Sequence, residues 1–330
     1  MSGIVVHTGA APEFACREEE RILGEAGITF IKRGPARTPE AVIAAIRDAD
    51  VSLCWSEPYT REVFAQSPKL KAVIRAGVGV DTVDLDGATE YGVIVGHYPD
   101  FCIPEVANHA LALMLDCAKK VTRFDRVIRR DGWGATRGIR SPMGPIHGET
   151  LGLVAFGHIA QDMAKRGHAL GMEVIAHDPF VDAPVFEAAG VESVTLQELA
   201  ERSDYISCHL PLTEGTRGLL NADFFGHMKP TAYFINTGRG PVVNEPDLIA
   251  ALQAGKLAGA GLDVFAEEPL PPGHPFLGMD NVVMTPHTAS FSDETMRLRD
   301  VRMAKDAIVV IEGGLPEFVA NRAVLENRRR

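Results

Sequence analysis

The chain has 330 residues, of which 46% are hydrophobic and 23% charged, a composition typical of a globular protein and a length that suggests two domains. Its net charge of −11 argues against nucleic acid as a partner, because phosphate binding needs clustered Lys and Arg. The sequence has no apolar run of about 20 residues and opens without the features of a signal peptide, so we expect no membrane span and a cytoplasmic location.

Short apolar runs alternate with segments of helical period along the chain, and this alternation predicts parallel α/β sheets. Thr38-Pro-Glu-Ala predicts a helix start, because Thr is a good N-cap and proline is favoured at the first helical position. In the first third of the chain, strands are predicted at residues 4–7, 28–31, 51–55, 70–76 and 93–96.

The middle of the chain opens with one long predicted helix, from residue 104 to residue 130, on which apolar residues recur at spacings of three and four. The last predicted helix spans residues 293–312 and ends at a glycine pair, a natural C-cap. Between these helices, strands are predicted at residues 151–156, 173–176, 205–210, 233–236, 259–264 and 281–284.

Residues 151–160, Leu-Gly-Leu-Val-Ala-Phe-Gly-His-Ile-Ala, lie between a predicted strand and a predicted helix, where a dinucleotide-binding fingerprint belongs. The expected G-x-G-x-x-G falls on positions 155, 157 and 160, and only Gly157 is a glycine. Gly157 is the position at which the backbone must approach the pyrophosphate closely. Ala155 replaces the glycine of the tight turn, and its effect on the loop and on cofactor affinity stays open.

Asp178 ends the next predicted strand, about 20 residues after Gly157. An acidic residue at this distance suits the ribose hydroxyls of NAD and repels the 2′-phosphate of NADP. An ordinary turn residue before Pro179 is the alternative interpretation, but the spacing favours a cofactor site. We therefore expect NAD (as NADH in the reductive direction) as the cofactor and expect Asp178 to disfavour NADP.

Three chemically active side chains follow predicted strands near the end of the chain: Arg239, Glu268 and His287. Because ligands of open α/β sheets bind outside the carboxyl ends of the strands, these side chains are expected to converge on one crevice. Each alone could be a surface or turn residue. Together, and beside Asp178, they favour a site that moves a proton and a hydride on a small 2-oxo or 2-hydroxy acid.

The chain resembles the D-isomer-specific 2-hydroxyacid dehydrogenases over nearly its whole length. Residues 99–110 and Gly132-Trp133 look most like the branch of this family named after the C-terminal-binding protein. The stretches that carry the resemblance are residues 73–81, 105–113, 149–152, 209–213, 228–230, 236–240, 261–269 and 285–287.

The resemblance implies an α/β fold with two Rossmann-like parallel-sheet domains. One is a discontinuous, flavodoxin-like substrate-binding domain made of residues 1–102 and 292–330. The other is an inserted NAD-binding domain, residues 103–291. It also implies a homodimer built largely through the cofactor domains.

The roles implied by the resemblance agree with the chemistry of the three catalytic candidates. His287 would be the acid/base, because a histidine pKa of about 6.5 lies near working pH. Glu268 would orient the imidazole and favour its charged form, and the planar fork of Arg239 would hold the substrate carboxylate. The implied substrate-binding residues are Arg75, Val78 and Gly79.

The implied cofactor site combines a helix N-terminus with several strand ends. The backbone N–H groups of His158 and Ile159 would meet the pyrophosphate, and Asp263 would receive the nicotinamide carboxamide. The full set of implied cofactor-binding residues is Gly157, His158, Ile159, Asp178, His209, Pro211, Thr237, Gly238 and Asp263. No metal site is predicted, because no pair of His or Cys has the spacing of metal ligands.

The leading interpretation is an NAD-dependent D-2-hydroxyacid dehydrogenase. An NAD(H)-sensing, corepressor-like binding protein of the same fold is the alternative, and an enzyme acting on an oxyanion such as phosphite or formate is a third possibility. The sequence leaves open which 2-hydroxy acid is used, the physiological direction, and whether a higher oligomer forms. His109, on the apolar long helix, is predicted to be a packing or interface residue.

Overall fold

The structure is a computed structural model that describes residues 3–329 of the chain. Its internal contacts divide the chain into two units. The terminal unit combines Met1–Phe101 with Ser292–Arg330, and the central unit is Cys102–Phe291. Two segments distant in sequence therefore build the terminal unit, and one continuous segment builds the central unit.

The terminal unit contains a five-stranded sheet in which all paired strands are parallel. Its strands are β1 (Ile4–His7), β2 (Thr29–Lys32), β3 (Val51–Cys54), β4 (Ala72–Arg75) and β5 (Ile94–Gly96). Their order across the sheet is β2-β1-β3-β4-β5, which is the doubly wound order of flavodoxin-like folds.

Four helices connect these strands, as parallel pairing requires. They are α1 (Arg17–Glu25), α2 (Pro39–Ile46), α3 (Arg61–Ala65) and α4 (Leu85–Glu90). The predicted start of α2 is confirmed, since the Thr38 side chain accepts a hydrogen bond from the Ala41 N–H at 3.3 Å and Pro39 occupies the first position. The cap stabilises this helix by about 1 kcal/mol.

The central unit contains a seven-stranded parallel sheet. Its strands are β6 (Thr150–Val154), β7 (Glu173–His177), β8 (Glu192–Ser193), β9 (Tyr205–Cys208), β10 (Tyr233–Asn236), β11 (Gly259–Leu262) and β12 (Val282–Met284). The order β12-β11-β10-β9-β6-β7-β8 is that of a Rossmann sheet with one additional edge strand. The chain reverses direction across the sheet between β6 and β9, the point at which such sheets bind ligands. The predicted fold class, two Rossmann-like parallel sheets, is confirmed.

Seven helices accompany this sheet: α5 (Ile103–Lys119), α6 (Val121–Asp131), α7 (His158–Ala169), α8 (Ala183–Ala189), α9 (Leu196–Arg202), α10 (Ala222–His227) and α11 (Glu245–Gln253). The prediction of a single helix from 104 to 130 was wrong, because Lys120 has φ 54° and separates α5 from α6. Asp116 accepts a hydrogen bond from the Thr122 N–H at 2.7 Å, which satisfies a donor of the new helix start. Hydrophobic periodicity does not reveal such a one-residue break.

The last helix, α12 (Asp293–Ile311), belongs to the core of the terminal unit. Met303 and Ala307 of this helix are buried in one cluster with Leu53 and Ile74 of the sheet. Asn321 then fixes the segment after α12 to the sheet edge, because its side chain accepts from the Val95 N–H at 2.9 Å. Of the helices in residues 3–329, none combines the length and apolar character needed to cross a membrane.

Candidate active site

A hydrogen-bonded imidazole–carboxylate pair lies at the carboxyl ends of β11 and β12. His287 Nδ1 and Glu268 Oε2 are 2.6 Å apart, and Glu268 Oε1 accepts from the Phe265 N–H at 3.0 Å. Burial raises the pKa of Glu268, but the hydrogen bond and charge of His287, with the charge of Arg239, outweigh it and leave this pKa below its usual value. Glu268 is therefore a carboxylate at neutral pH, and the His287 Nε2 atom is the ring nitrogen left to meet a substrate.

Arg239 is brought to this pair by a close approach of two backbone loops. A Cβ at Gly240 would lie 1.8 Å from the Phe265 carbonyl oxygen, so only glycine lets the loop after β10 pass the loop after β11. Asn236 shapes the first loop, since its side chain donates to the Arg239 carbonyl at 3.1 Å and accepts from the Gly238 N–H at 3.0 Å. The three residues predicted to be catalytic thus lie in one region of the central unit.

The backbone of His287 is strained and is held by Asp263. His287 has φ 53°, a left-handed conformation that costs a residue with a Cβ about 1–2 kcal/mol. Three consecutive N–H groups donate to Asp263: that of His287 to the carbonyl oxygen at 2.8 Å, that of Thr288 to Oδ1 at 2.9 Å and that of Ala289 to Oδ2 at 2.9 Å. Asp263 is fully buried, and these hydrogen bonds hold the loop in its conformation. Its role toward nicotinamide stays a prediction.

The loop after β6 keeps the turn of a dinucleotide-binding fingerprint despite the alanine. Ala155 adopts φ 73°, the left-handed conformation that a glycine normally supplies, and its N–H donates to the His177 carbonyl at 2.9 Å. A Cβ at Gly157 would meet no protein atom within 4 Å, so packing within the protein does not require glycine there. A bound group that approaches the backbone would require it.

The helix α7 begins directly after this loop, at His158. Its N-cap, Gly157, has no side-chain hydrogen bond to the first turn. The N–H groups of His158 and Ile159 lie in the first turn, where an α-helix offers them no internal partner, so they are suited to bind an anion. The described residues in this loop therefore fit the pyrophosphate of a dinucleotide.

Asp178 follows β7 and contacts the same loop. Its Oδ2 accepts from the Phe156 N–H at 2.9 Å, and its Oδ1 accepts from the Phe180 N–H at 3.0 Å. Each carboxylate oxygen has a second lone pair, so both can still accept a hydrogen bond from a ribose hydroxyl. The structure thus brings Asp178 and Gly157 together at the carboxyl edge of β6 and β7.

The remaining predicted cofactor residues follow β9 and β10. The His209 ring lies between Ser207 Oγ, 3.0 Å from Nε2, and Thr237 Oγ1, 3.5 Å from Nδ1. Although the residue as a whole is partly exposed, burial of the ring lowers the pKa of His209 to about 4, so the ring is neutral at physiological pH. Pro211 is exposed and Gly238 partly so, on the same edge of the sheet.

The predicted substrate-binding residues lie in the terminal unit. Arg75 is the last residue of β4, and Val78 and Gly79 follow it in the next loop. The Val78 carbonyl oxygen lies 2.9 Å from Nδ1 of His97. All three residues are partly exposed at the carboxyl end of their sheet, and their contact with a substrate stays a prediction.

Sequence reasoning missed two polar groups. His109, predicted to be a packing or interface residue, has its Nε2 2.8 Å from Thr285 Oγ1, beside Asp263. A polar side chain on an otherwise apolar helix was the available signal. The other group, in the terminal unit, is His7, Cys16 and Glu19, whose ligand-type atoms lie within 4.8 Å of one another.

The His7 group has the composition of a metal site but not the protonation state of one. Nδ1 of His7 accepts from the N–H groups of Gly9 at 3.1 Å and Ala10 at 3.2 Å. A neutral imidazole with Nδ1 as acceptor carries its proton on Nε2, and that nitrogen then has no lone pair for a metal ion. The geometry of His7 therefore does not support metal coordination.

The chain is similar in sequence to known proteins over most of its length. Residues 111–289 match the family model described as D-isomer specific 2-hydroxyacid dehydrogenase, NAD binding domain. The chain is 38% identical over 305 residues to D-3-phosphoglycerate dehydrogenase of Methanocaldococcus jannaschii, a match covering 91% of this chain and 57% of that protein. It is 37% identical over 292 residues to glyoxylate reductase of Korarchaeum cryptofilum, covering 88% of each.

A solved structure is similar to nearly the whole chain. The TT0316 protein from Thermus thermophilus matches with a TM-score of 0.87 at 33% identity, covering 96% of this chain and 99% of that one. The chain thus spans little more than half of the phosphoglycerate dehydrogenase and most of the glyoxylate reductase. It belongs to the D-isomer specific 2-hydroxyacid dehydrogenase family, whose members are NAD-dependent oxidoreductases, and residues 111–289 are its NAD-binding domain.

Proposed function

We propose that the protein interconverts a small 2-oxo acid and its D-2-hydroxy acid, with His287 as the acid/base. The reaction class, NAD-dependent oxidoreduction of 2-hydroxy acids, follows from membership of the family. One observation carries the assignment of residues. The imidazole of His287 is hydrogen-bonded to an ionised Glu268 at 2.6 Å, and the positive charge of Arg239 helps to lower the pKa of this carboxylate.

The proton transfer follows from the geometry of this pair. NADH, when bound, supplies the hydride that is added to C2 of the 2-oxo acid. The imidazolium of His287 gives its Nε2 proton to the carbonyl oxygen, and its Nδ1 proton remains on the bond to Glu268. The Glu268 carboxylate stabilises the imidazolium before the transfer and fixes the ring orientation. In oxidation, the neutral ring takes the hydroxyl proton back at Nε2.

Arg239 suits the substrate carboxylate. A guanidinium presents two parallel N–H donors that match the two oxygens of a carboxylate, which an ammonium group cannot do. Its neighbours Asn236 and Gly240 fix its backbone, so the fork is presented from a defined position. We expect the same group to polarise the carbonyl that accepts the hydride. Arg75 and the backbone of Val78 and Gly79 are proposed as further carboxylate ligands.

The cofactor preference is proposed to be NAD over NADP. The support is Asp178, whose carboxylate would repel a 2′-phosphate at the ribose position. Asp178→Ala removes this repulsion and is expected to raise kcat/KM with NADPH relative to NADH by about tenfold. Equal use of NADH and NADPH by the unmodified protein would contradict the proposed preference.

A homodimer and a cytoplasmic location complete the proposal. Exposed apolar side chains on α6 and the following turn, among them Val121 and Trp133, are suited to an interface between copies. All five cysteines are buried and none is joined in a disulfide, as is usual in a reducing compartment. Light scattering coupled to gel filtration would measure the mass in solution, and a monomer would contradict the dimer.

The decisive experiment is a panel of 2-oxo acids assayed by the loss of NADH absorbance, with glyoxylate, hydroxypyruvate, pyruvate and phenylpyruvate. The unmodified protein is expected to turn over at least one of them, and His287→Asn is expected to lower kcat by about 10²–10⁴-fold. The dissociation constant for NADH, measured by fluorescence, is expected to stay the same. Unchanged turnover by His287→Asn would remove His287 from the mechanism.

The same panel addresses the sensor alternative. A binding protein that only senses NAD(H) does not require an acid/base pair, whereas this chain holds an ionised carboxylate against the imidazole of His287. Two relatives that match this chain over most of both sequences are named as glyoxylate reductases. Tight NADH binding without turnover of any 2-oxo acid would favour the sensor.

A further inference from the structure

The His287 loop is connected to helix α5 through a chain of side-chain hydrogen bonds. Thr285, which directly follows β12, donates its hydroxyl proton to Asp263 Oδ1 at 2.6 Å. The same hydroxyl oxygen lies 2.8 Å from Nε2 of His109. A threonine hydroxyl has one proton, and that proton is on the carboxylate side, so His109 is the donor in the second bond.

This assignment fixes the tautomer of His109. The proton is on Nε2, and the same nitrogen lies 3.5 Å from Asp263 Oδ1. A lone pair on Nε2 would instead face the lone pairs of Thr285 and of the carboxylate. The direction of donation is therefore His109 to Thr285 to Asp263, and the chain ends on a buried carboxylate.

Asp263 is the residue on which the whole loop depends. Its carbonyl and carboxylate oxygens accept hydrogen bonds from the N–H groups of residues 287, 288 and 289, and the residue is fully buried. Strained conformations such as φ 53° at His287 persist only where the surroundings over-determine them. Rotation of the carboxylate would lengthen and weaken the hydrogen bonds that it accepts from the N–H groups of Thr288 and Ala289.

Helix α5 gives the chain of bonds a rigid support. The helix is 17 residues long and packs against β10, β11 and β12. Gly261 of β11 allows this, since a Cβ there would lie 2.9 Å from the Cβ of Leu113. His109 therefore donates from an element fixed to the same strands that carry Asp263 and Thr285.

We propose that His109 is a positioning residue for His287: through Thr285 it fixes the Asp263 carboxylate, and thereby the backbone that presents the His287 imidazole. The proposal rests on the proposed function, because it gives His109 a purpose only if His287 is the acid/base. It assigns a role in turnover to a residue that contacts neither the reacting atoms nor the Glu268–His287 bond.

Two matched pairs of variants test the proposal in the full-length protein. His109→Leu and Thr285→Val remove the hydrogen bonds with little change in volume, and each is expected to lower kcat about 10–100-fold, as small misplacements of catalytic groups do. His109→Gln and Thr285→Ser keep a donor and a hydroxyl, and each is expected to restore most of kcat. The double variant His109→Leu with Thr285→Val is expected to be no worse than Thr285→Val, because both act through one chain of bonds.

Two further readouts separate positioning from a general structural defect. The dissociation constant for NADH is expected to change far less than kcat in all four variants. The isotope effect on kcat with NADH deuterated at the transferred C4 hydrogen is expected to rise in His109→Leu and Thr285→Val, because hydride transfer becomes slower. His168→Leu is the matched control, an exposed histidine of the same unit whose Nε2 lies 3.2 Å from the Ala189 carbonyl, and it is expected to keep the unmodified kcat.

Wild-type turnover by His109→Leu would overturn the proposal, as would equal losses in the Leu and Gln variants or in the Val and Ser variants. If His109→Leu does not fold, the Thr285→Val and Thr285→Ser pair makes the same comparison. Failure of the unmodified protein to reduce any 2-oxo acid would instead contradict the proposed function, and the two failures are therefore distinguishable.

Discussion

Two histidine–glutamate pairs, one in each unit, place the same residue types in opposite electrostatic states. In the central unit, His287 and Glu268 share a 2.6 Å hydrogen bond, and the pKa of Glu268 is below its usual value. In the terminal unit, His7 Nε2 and Glu19 Oε2 are buried and have no hydrogen-bond partner among the described residues. There burial lowers the pKa of His7 to about 3 and raises the pKa of Glu19 to about 7.

The difference shows that solvent access and direct contact, rather than residue type, decide the charge of such a pair. Side chains of the first pair are partly exposed, at 46% for His287 and 35% for Glu268, and the hydrogen bond keeps the pKa of Glu268 below its usual value. The second pair has neither, and both of its side chains are neutral between about pH 3 and about pH 7. The first pair, with its ionised carboxylate against an accessible imidazole, is therefore the one suited to the proposed proton transfer.

The comparison is tested most strongly by removing one carboxylate at a time. Glu268→Gln is expected to lower kcat about 100-fold, because the neutral amide no longer stabilises the imidazolium of His287. Glu19→Gln, the matched change in the other pair, is expected to leave kcat unchanged. Steady-state kinetics with the best 2-oxo acid of the panel measures both. Comparable losses of kcat in the two variants would show that the pairs are not functionally distinct.

The buried His7–Glu19 pair is expected to affect the stability of the folded protein rather than its turnover. Because the pKa of Glu19 is raised to about 7, the folded state holds a proton that the unfolded state releases, and stability falls as pH rises from about 4.5 to about 7. Glu19→Gln removes this dependence. The variant is expected to be more stable than the unmodified protein by about 3 kcal/mol at about pH 8, with no difference at about pH 4.5.

Urea denaturation at several pH values checks this prediction. The difference between Glu19→Gln and the unmodified protein isolates Glu19, since the opposite contribution of His7 is present in both proteins. A constant difference across the pH range would show that the pKa of Glu19 is the same in the folded and unfolded states, which would contradict the prediction. A histidine variant is a poorer probe, because Nδ1 of His7 also accepts two backbone N–H groups.

Backbone strain occurs both in the loop that carries His287 and in the loop that carries Ala155. His287 and Ala155 both have positive φ, but only His287 has a side chain that the proposed chemistry needs. Ala155→Gly is expected to raise the free energy of unfolding by up to about 1 kcal/mol, since relief of strain exceeds the added chain entropy of glycine. Affinity for NADH is expected to stay the same or to increase. Weaker NADH binding would show that the alanine methyl group is part of the cofactor site.

The smallest expected effect concerns the contribution of Glu268 to stability. Because its pKa is lowered in the folded state, this contribution is complete above about pH 4.5 and is lost as pH falls through the lower folded value. The pair is partly exposed, so Glu268→Gln is expected to cost less than about 1 kcal/mol near neutral pH. Denaturation near pH 7 and below pH 4.5 would measure it. A difference that grows on acidification would contradict the sign.

Local features of this protein could be predicted from the order of its residues. Strand-length apolar runs predicted two parallel sheets, and the order of the strands agrees with that fold class. The spacing of Gly157 and Asp178 predicted that both belong to one cofactor site, and motif positions after strands predicted the grouping of Arg239, Glu268 and His287. These features depend on residues close in sequence, or on the rule that parallel strands end at one edge of a sheet.

The support of those residues, in contrast, depends on how the folded chain packs. No periodic pattern in the sequence predicts three of these features. They are the helix break at Lys120, the neutral His7–Glu19 pair and the hydrogen bonds by which Asp263 holds the His287 loop. His109 and Thr285 meet across 176 positions of the chain, because α5 packs on the strands that carry the site. Such contacts depend on burial and on the close approach of distant backbones, and hydrophobic periodicity records neither.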